Sequence, residues 1–171
     1  MERPKSLRLF YAVWPDESCR TALQNLQQSL PLSGRLVAPE NLHITLAFLG
    51  DQAESRLPAL EGILQRLPCP SWRLKLDTLG YFKGSRINWI GMREPPEILM
   101  GVQSELRQSL LHEGIHYVAG GRFIPHVTLA RNGPPLPPQS IQPLFWESAQ
   151  LVLVRSVLLA HGSRYEVIAS R

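Results

Sequence analysis

NLHITLAFLGD (Asn41–Asp51) is the stretch that decides the fold, because a similar string, IPHVTLARNG (Ile124–Gly133), returns later in the chain. Both strings contain the pattern His-x-Thr-Leu-Ala. Two of the four threonines in the chain stand two residues after a histidine, and chance placement of five histidines and four threonines in 171 residues rarely produces this. The repeat therefore indicates a functional strand that the chain uses twice.

Each copy alternates polar and apolar residues, which is typical of a β-strand. Successive side chains of a strand point to opposite faces, so each copy should have one polar and one aliphatic face. The predicted core faces carry Leu42, Ile44, Leu46, Phe48, Val127 and Leu129. The predicted polar faces carry His43, Thr45, Ala47, His126, Thr128 and Ala130. These polar faces, each with an imidazole beside a hydroxyl, predict a binding floor.

The residue types on this floor suit proton transfer at phosphorus. The unperturbed pKa of histidine, about 6.5, allows one imidazole to donate a proton while another accepts one near pH 7. Neighbouring hydroxyls donate hydrogen bonds to phosphoryl oxygens without surrendering a proton. No carboxylate cluster that could hold a divalent cation is visible near either string, so we expect neither a metal nor another cofactor. The pattern predicts metal-free displacement at phosphorus.

Composition narrows the class of protein. A chain of 171 residues with 44% hydrophobic and 19% charged residues suits one globular domain, expected over residues 1–171. The sequence has no signal-peptide pattern and no run of about 20 apolar residues, the length that a membrane span needs. We therefore expect a cytoplasmic protein with no membrane contact. Cys19 and Cys69 lack metal-ligand spacing and are interpreted as two small buried thiols.

The net charge of +4 rests mainly on arginine. Only three of the 18 Lys and Arg residues are lysines, which leaves 15 arginines. The planar guanidinium binds phosphate oxygens bidentately. Enrichment in arginine is consistent with a phosphate ligand, but a bias in genome composition would produce it equally well.

Strand and helix patterns alternate along the chain, with hairpin-like strand pairs among them. Asp16 is placed as the N-cap of the first helix, and Gly114 stands where the third should stop. This mixture favours an α+β fold over a doubly wound parallel sheet. The predicted strands span residues 7–13, 41–51, 72–82, 86–92, 124–133, 150–160 and 164–170, and the predicted helices span residues 16–30, 57–67 and 95–114.

The sequence resembles the two-histidine (2H) phosphoesterase superfamily, and within it the RNA 2',3'-cyclic phosphodiesterases, also called LigT-like proteins or 2'-5' RNA ligases. The resemblance rests first on HITL and HVTL, which meet both His-x-Thr-x motifs in full. It extends over nearly the whole chain through the strings RLFYAV, NLHITLAFLG, RINWIGM, FIPHVTLAR and LVRSVLLAHGSRYEVI.

The resemblance implies a bilobal α+β fold, in which two pseudo-symmetric antiparallel sheets, flanked by helices, surround a central groove. It also implies hydrolysis of RNA 2',3'-cyclic phosphate ends to 2'-phosphates, and reversible 2'-5' RNA ligation when an RNA 5'-hydroxyl attacks in place of water. Carried over to this chain, His43 is the proton donor, His126 the proton acceptor, and Thr45 and Thr128 hold the phosphate. Arg131 is a further phosphate contact or an ordinary surface arginine. The expected partners are RNA ends or small nucleotides, and we expect a monomer.

Three alternatives accompany this interpretation. HEGIH (His112–His116) matches a zinc-peptidase pattern, but Gly114 interrupts the continuous helix that such a site needs. The groove could instead act on a small cyclic phosphate such as ADP-ribose 1'',2''-cyclic phosphate. It could also hold an RNA end without catalysis, although binding alone would be served as well by arginine or lysine. His161, in the turn HGS, is interpreted as an exposed turn residue.

Overall fold

The structure, a computed structural model, describes residues 5–147 and 149–171. Within this part of the chain there are three α-helices and ten β-strands. The helices are α1 (Glu17–Ser29), α2 (Leu57–Arg66) and α3 (Glu97–His112). The strands are β1 (Ser6–Pro15), β2 (Arg35–Leu36), β3 (Ile44–Ala53), β4 (Leu74–Leu76), β5 (Thr78–Phe82), β6 (Ile87–Gly91), β7 (His126–Arg131), β8 (Leu144–Trp146), β9 (Ala149–Leu159) and β10 (Gly162–Ser170).

Eight of these strands form one antiparallel sheet in the order β10-β9-β1-β3-β7-β6-β5, with β2 added beside β7. The predicted α+β class with antiparallel strands is confirmed. The two sheets that the resemblance implied are joined at the centre by a single residue pair, Ile44 opposite Val127. The two motif strands, β3 and β7, are therefore neighbours. The prediction of one domain over residues 1–171 stays a prediction.

All three helices pack on one face of the sheet. Their buried side chains, among them Leu23, Ile63 and Leu106, belong to the same core cluster as Ile44 and Val127. The opposite face carries a smaller apolar cluster of Phe10, Ala12, Val152 and Val154. This second face is left open by the helices and forms the groove.

Most of the predicted helices and strands are confirmed. Asp16 is the N-cap of α1, and its carboxylate accepts a hydrogen bond from the backbone N–H of Cys19 at 2.8 Å. The predicted strand over residues 72–82 is wrong as one element, because the chain turns at Asp77. Residues before Asp77 form β4, which pairs with β8 in a separate two-stranded sheet, and residues after it form β5.

The two cysteines differ. Cys19 is buried as predicted, and burial raises the pKa of its thiol to about 12. The prediction of a buried thiol is wrong for Cys69, which is exposed because it follows the end of α2 in a surface loop. Within the described residues, no helix is long and apolar enough to cross a membrane.

The strict alternation predicted for the motif strands is broken by β-bulges, which add a residue to one strand and reverse the faces beyond it. The pairing of β3 with β1 skips Leu46 and Leu49, and the pairing of β7 with β6 skips Leu129. Ala47 therefore lies in the main core, and Phe48 packs against the groove-side cluster. The predicted positions of these two side chains are wrong for this reason.

Buried glutamines from the helices bind the carbonyl groups of two skipped leucines. Gln27 of α1 donates its Nε2–H to the carbonyl oxygens of Leu129, at 2.8 Å, and Val37, at 2.9 Å. Gln103 of α3 donates to the carbonyl oxygen of Leu46 at 3.4 Å. Both glutamine side chains are buried, at 3% and 8% exposure. Each helix is thus fastened to the bulge of one motif strand.

We expect Gln27→Leu to lower the free energy of unfolding by about 1–3 kcal/mol, because the partly buried carbonyl oxygen of Val37 and the buried carbonyl oxygen of Leu129 lose their hydrogen bonds from Gln27. Leucine keeps a high helix propensity, so the helix itself should not be weakened. Urea denaturation followed by circular dichroism measures the change. The matched control is Gln28→Leu at an exposed position of α1, and an equal loss in both variants would contradict the role of Gln27.

Candidate functional site

The single pair between β3 and β7 brings the two motifs together. Ile44 and Val127 face the core, so their neighbours on either side face the groove. Because the two strands are antiparallel, this register sets His43 beside Thr128 and Thr45 beside His126. One cavity of about 460 Å³ is lined by both histidines and both threonines. The predicted site residues are therefore brought together.

His43 has a fixed tautomer. Its Nδ1–H donates to the carbonyl oxygen of Asn41 at 2.6 Å, so in the neutral ring Nε2 carries a lone pair. The hydroxyl of Thr45 donates to this Nε2 at 2.8 Å. The ring is surrounded by aromatic side chains, with centroids 4.9 Å from Phe10, 5.6 Å from Trp14 and 5.4 Å from Tyr165. These contacts orient the ring and leave it partly buried.

His126 repeats this arrangement with one difference. Its Nδ1–H donates to the carbonyl oxygen of Ile124 at 2.7 Å, which again leaves a lone pair on Nε2. Within residues 5–147 and 149–171, no hydrogen bond occupies this Nε2. The ring centroid lies 4.9 Å from that of Phe82 and 5.9 Å from that of Trp89. The lone pair of His126 is therefore free to accept a proton from a molecule in the groove.

Both imidazoles are neutral at pH 7. Burial lowers the pKa of His43 to about 4, against the opposing effect of its hydrogen bond to Asn41, and the charges of His126 and Arg131 lower it further. Burial also lowers the pKa of His126, again opposed by a backbone hydrogen bond and assisted by Arg131. Both pKa values therefore lie below the 6.5 of a free imidazole. An anion in the groove would offset Arg131 and raise both pKa values.

Arg131 lines the central cavity with Thr128. Strict alternation would have turned its side chain to the core, and the bulge at Leu129 turns it to the groove instead. Arg8 and Arg35 line the same cavity, and no Asp or Glu does so among the described residues. The cavity is thus suited to an anion. In this part of the chain no group of three or more His, Cys, Asp or Glu side chains could hold a metal ion.

Sequence reasoning missed the aromatic side chains that surround the histidines. Trp89 reaches His126 only because Gly80 leaves room, since a Cβ on Gly80 would lie 2.0 Å from the indole ring. Tyr165 lies on β10, the edge strand of the sheet, which is separated from β1 by β9. The sequence signal for β1 and β10 was strand periodicity alone, which gives a face but not a neighbour. Only Gly80 within an aromatic-rich strand hinted at close packing.

The zinc-peptidase pattern HEGIH is the end of a helix. α3 ends at His112, and Gly114 follows with a φ of 62°. The backbone N–H of Gly114 donates to the carbonyl of Leu111, and that of Ile115 to the carbonyl of Leu110, which is the Schellman pattern of helix termination. His116 lies beyond the helix, so the two histidines do not share a helical face. His161 is exposed in the β9–β10 turn, as predicted.

Acid should destabilise the protein through His43. Its pKa is about 4 when folded and about 6.5 when unfolded, so the unfolded chain binds more protons between these values, and stability falls as pH falls from 6.5 towards 4. When the pH is lowered from 7.5 to 4.5, the free energy of unfolding, measured by urea denaturation, should fall by about 2 kcal/mol more for wild type than for His43→Gln. Parallel stability profiles of the two proteins would show that His43 is not held neutral.

Comparison with known proteins identifies the family of this chain. The family described as "LigT like Phosphoesterase" matches residues 13–89. The RNA 2',3'-cyclic phosphodiesterase of Thermus thermophilus is 36% identical over 95% of this chain and 88% of its own length. The RNA 2',3'-cyclic phosphodiesterase of Escherichia coli is 35% identical over 73% of this chain and 72% of its own length.

Solved structures agree with the sequence relatives. The crystal structure of E. coli LigT in apo form is similar with a TM-score of 0.83 and 31% identity, over 98% of this chain and 97% of that one. The structure of E. coli LigT complexed with 3'-AMP gives a TM-score of 0.83 over 98% of both chains, at 31% identity. The resemblance stated from the motifs is confirmed, and the chain belongs to the LigT-like phosphoesterase family.

Proposed function

We propose that this protein is an RNA 2',3'-cyclic phosphodiesterase, which hydrolyses cyclic phosphate ends to 2'-phosphates by metal-free acid–base catalysis. The observation that carries the proposal is the one cavity lined by both His-x-Thr pairs and Arg131. The names of the relatives and the complex of E. coli LigT with 3'-AMP support a nucleotide end as the substrate.

The proposed general base is His126. Its free Nε2 lone pair accepts a proton from water as the water oxygen bonds to phosphorus. The proposed general acid is His43, whose protonated Nε2–H gives its proton to the 3' oxygen as the bond from phosphorus to that oxygen breaks. The unequal surroundings of the two Nε2 atoms support this assignment, since the lone pair of His43 is already occupied by Thr45.

Substrate binding allows His43 to take up from solvent the proton that it needs as the acid. A cyclic phosphate carries one negative charge, and its arrival beside Arg131 offsets the cation that lowers the pKa of both histidines. Once His43 is protonated, its Nε2 becomes a donor and no longer accepts from Thr45. The hydroxyls of Thr45 and Thr128 and the guanidinium of Arg131 then hold the non-bridging phosphoryl oxygens. These groups stabilise the charge that grows during attack.

A second reaction, RNA ligation, would use the same groups. An RNA 5'-hydroxyl that attacks the cyclic phosphate in place of water would form a 2'-5' linkage, with His126 as the base and His43 as the acid. We propose this ligation as a minor activity, because water competes for the same position. Both His-x-Thr pairs of the groove lie in one chain, so the proposed mechanism needs no second copy. We propose that the protein acts as a monomer on RNA ends, in the cytoplasm that the sequence predicts.

The substrate and the broken bond can be tested together. The purified protein should hydrolyse adenosine 2',3'-cyclic phosphate in excess EDTA, because no proposed step uses a metal. The product should be adenosine 2'-phosphate, since the proton donor serves the 3' oxygen. Phosphorus NMR distinguishes the 2' and 3' products. ADP-ribose 1'',2''-cyclic phosphate is the comparison substrate.

Each alternative has its own outcome in this experiment. Loss of activity in EDTA that a divalent cation restores would contradict the metal-free mechanism, and mainly 3'-phosphate would reverse the leaving group. Faster turnover of the ADP-ribose compound would favour the small-substrate alternative. Binding of the nucleotide without turnover would favour the alternative of a non-catalytic protein that binds RNA ends.

The two histidines should behave as one catalytic unit. His43→Ala and His126→Ala should each lower kcat/KM by about 10²–10⁴-fold, and the double variant should lose much less than the product of the two losses. The profile of kcat/KM against pH should be bell-shaped with both limbs below pH 6.5, because it reports the free enzyme, in which both pKa values are lowered.

The control for these variants is His112→Ala, at the end of α3 and outside the groove. It should keep wild-type kinetics. Circular dichroism should show that all of the histidine variants fold, because these side chains face the groove while Ile44 and Val127 hold the core. Loss of turnover in His112→Ala, with His43→Ala unaffected, would move the site to the helix end.

A further inference from the structure

Two arginines lie directly opposite each other at the edge of the groove. Arg35 of β2 is the cross-strand partner of Arg131 of β7. Like charges in this position destabilise a sheet. Among the ion pairs of the described residues, none includes either arginine. Two unneutralised cations therefore stand side by side, an arrangement that an anionic ligand would stabilise.

Two glycines allow the backbone segments that carry these arginines to approach each other closely. Gly34 precedes Arg35 with a φ of +85°, and a Cβ at Gly34 would lie 2.3 Å from the carbonyl oxygen of Arg131. Gly133 approaches Ser33 as closely from the other side, with 2.3 Å between a Cβ at Gly133 and the carbonyl oxygen of Ser33. Only glycines permit this contact. The short strand β2 is thus pressed against β7, which fixes the position of Arg35.

A small cavity extends from this arginine pair to the β9–β10 turn. It has a volume of about 160 Å³, and its lining includes Arg35, Arg131, His161 and Ser163 together with His43 and Thr128, with no carboxylate among the described residues. Ligand pockets for larger molecules usually measure about 300–1,000 Å³. The cavity is therefore too small for a whole nucleoside and suits a group the size of a phosphodiester.

The cavity shares His43, Thr128 and Arg131 with the central cavity, so it extends the groove from the position proposed for the reacting phosphate towards the turn. The charge of Arg131 lowers the pKa of both histidines, whereas Arg35 contributes to neither shift. Arg35 lies instead towards the turn, with its Nη1 3.9 Å from where a Cβ on Gly162 would be. The side chain of Asn41 ties this turn to the site by donating to the carbonyl of Ser163 at 2.8 Å.

We propose that Arg35 and the β9–β10 turn form a second anion subsite, which binds the phosphodiester on the 5' side of the nucleotide that carries the cyclic phosphate. The guanidinium of Arg35 donates hydrogen bonds to the diester oxygens. This inference rests on the proposed function and narrows its substrate class to RNA chain ends of two or more nucleotides. A mononucleotide lacks the diester and leaves the subsite empty.

The test compares kcat/KM for three substrates: adenosine 2',3'-cyclic phosphate, the dinucleotide ApA with a terminal 2',3'-cyclic phosphate, and the same dinucleotide with an uncharged methylphosphonate linkage. Wild type should prefer the charged dinucleotide, and Arg35→Met should reduce this preference about 10-fold or more, the effect of one hydrogen bond to a charged group. The neutral linkage should reduce the preference of wild type equally and leave that of Arg35→Met unchanged.

Two controls accompany this experiment. Arg56→Met removes the same charge at an exposed position outside the groove and should keep the wild-type preference. Arg35→Lys should retain part of it. Thermal unfolding of Arg35→Met should give an unchanged or higher Tm, because the like-charge pair is removed.

The outcomes separate the subsite from the proposed function. An equal loss on all three substrates would place Arg35 at the reacting phosphate and overturn the second subsite, as would an unchanged preference in Arg35→Met. If wild type hydrolysed none of the substrates, the proposed function would fall and the subsite with it. Hydrolysis of the mononucleotide with no preference for the charged dinucleotide would keep the function and remove the subsite.

Discussion

The pairing of Ile44 with Val127 is the constraint on which the rest of this structure depends. It is the one residue pair between β3 and β7 and thus the joint between the two halves of the sheet. Both side chains are fully buried in the main core, so the register is held by apolar packing as well as by the backbone. A slip of one residue in either strand would turn the histidine of that strand towards the core. The position of the site follows from this pair.

Two β-bulges determine which residues of the motif strands face the groove beyond each threonine. The chain skips Leu46 and Leu129 at equivalent points, directly after the threonine of each motif. Beyond each bulge the faces are reversed, so the fifth residue after each histidine returns to the groove. In the first motif this residue is Phe48, and in the second it is Arg131. The repeat thus gives the groove an apolar wall on one side and a cation on the other.

The electrostatics of the groove follow from how the histidines are packed. Aromatic rings surround both imidazoles, and burial lowers both pKa values. Arginines line the groove without carboxylates to neutralise them, among the described residues. A site of this kind holds neutral histidines and cations without a carboxylate partner. An anionic substrate changes both conditions together, so binding and protonation are coupled.

The sequence by itself determined the α+β class, the main helices and strands, and the pairing of the two motifs. These follow from local physics: side-chain periodicity, Asp16 as a cap, Gly114 as a stop, and residue types that suit phosphate. Tertiary structure alone decided the bulges, the burial of Gln27 and the separation of β4 from β5. A bulge depends on which strand lies alongside, and no residue in the motifs encodes it. The groove side of Arg131, the approach of Arg35 and the lowered pKa values depend on neighbours far apart in the chain, which periodicity cannot supply.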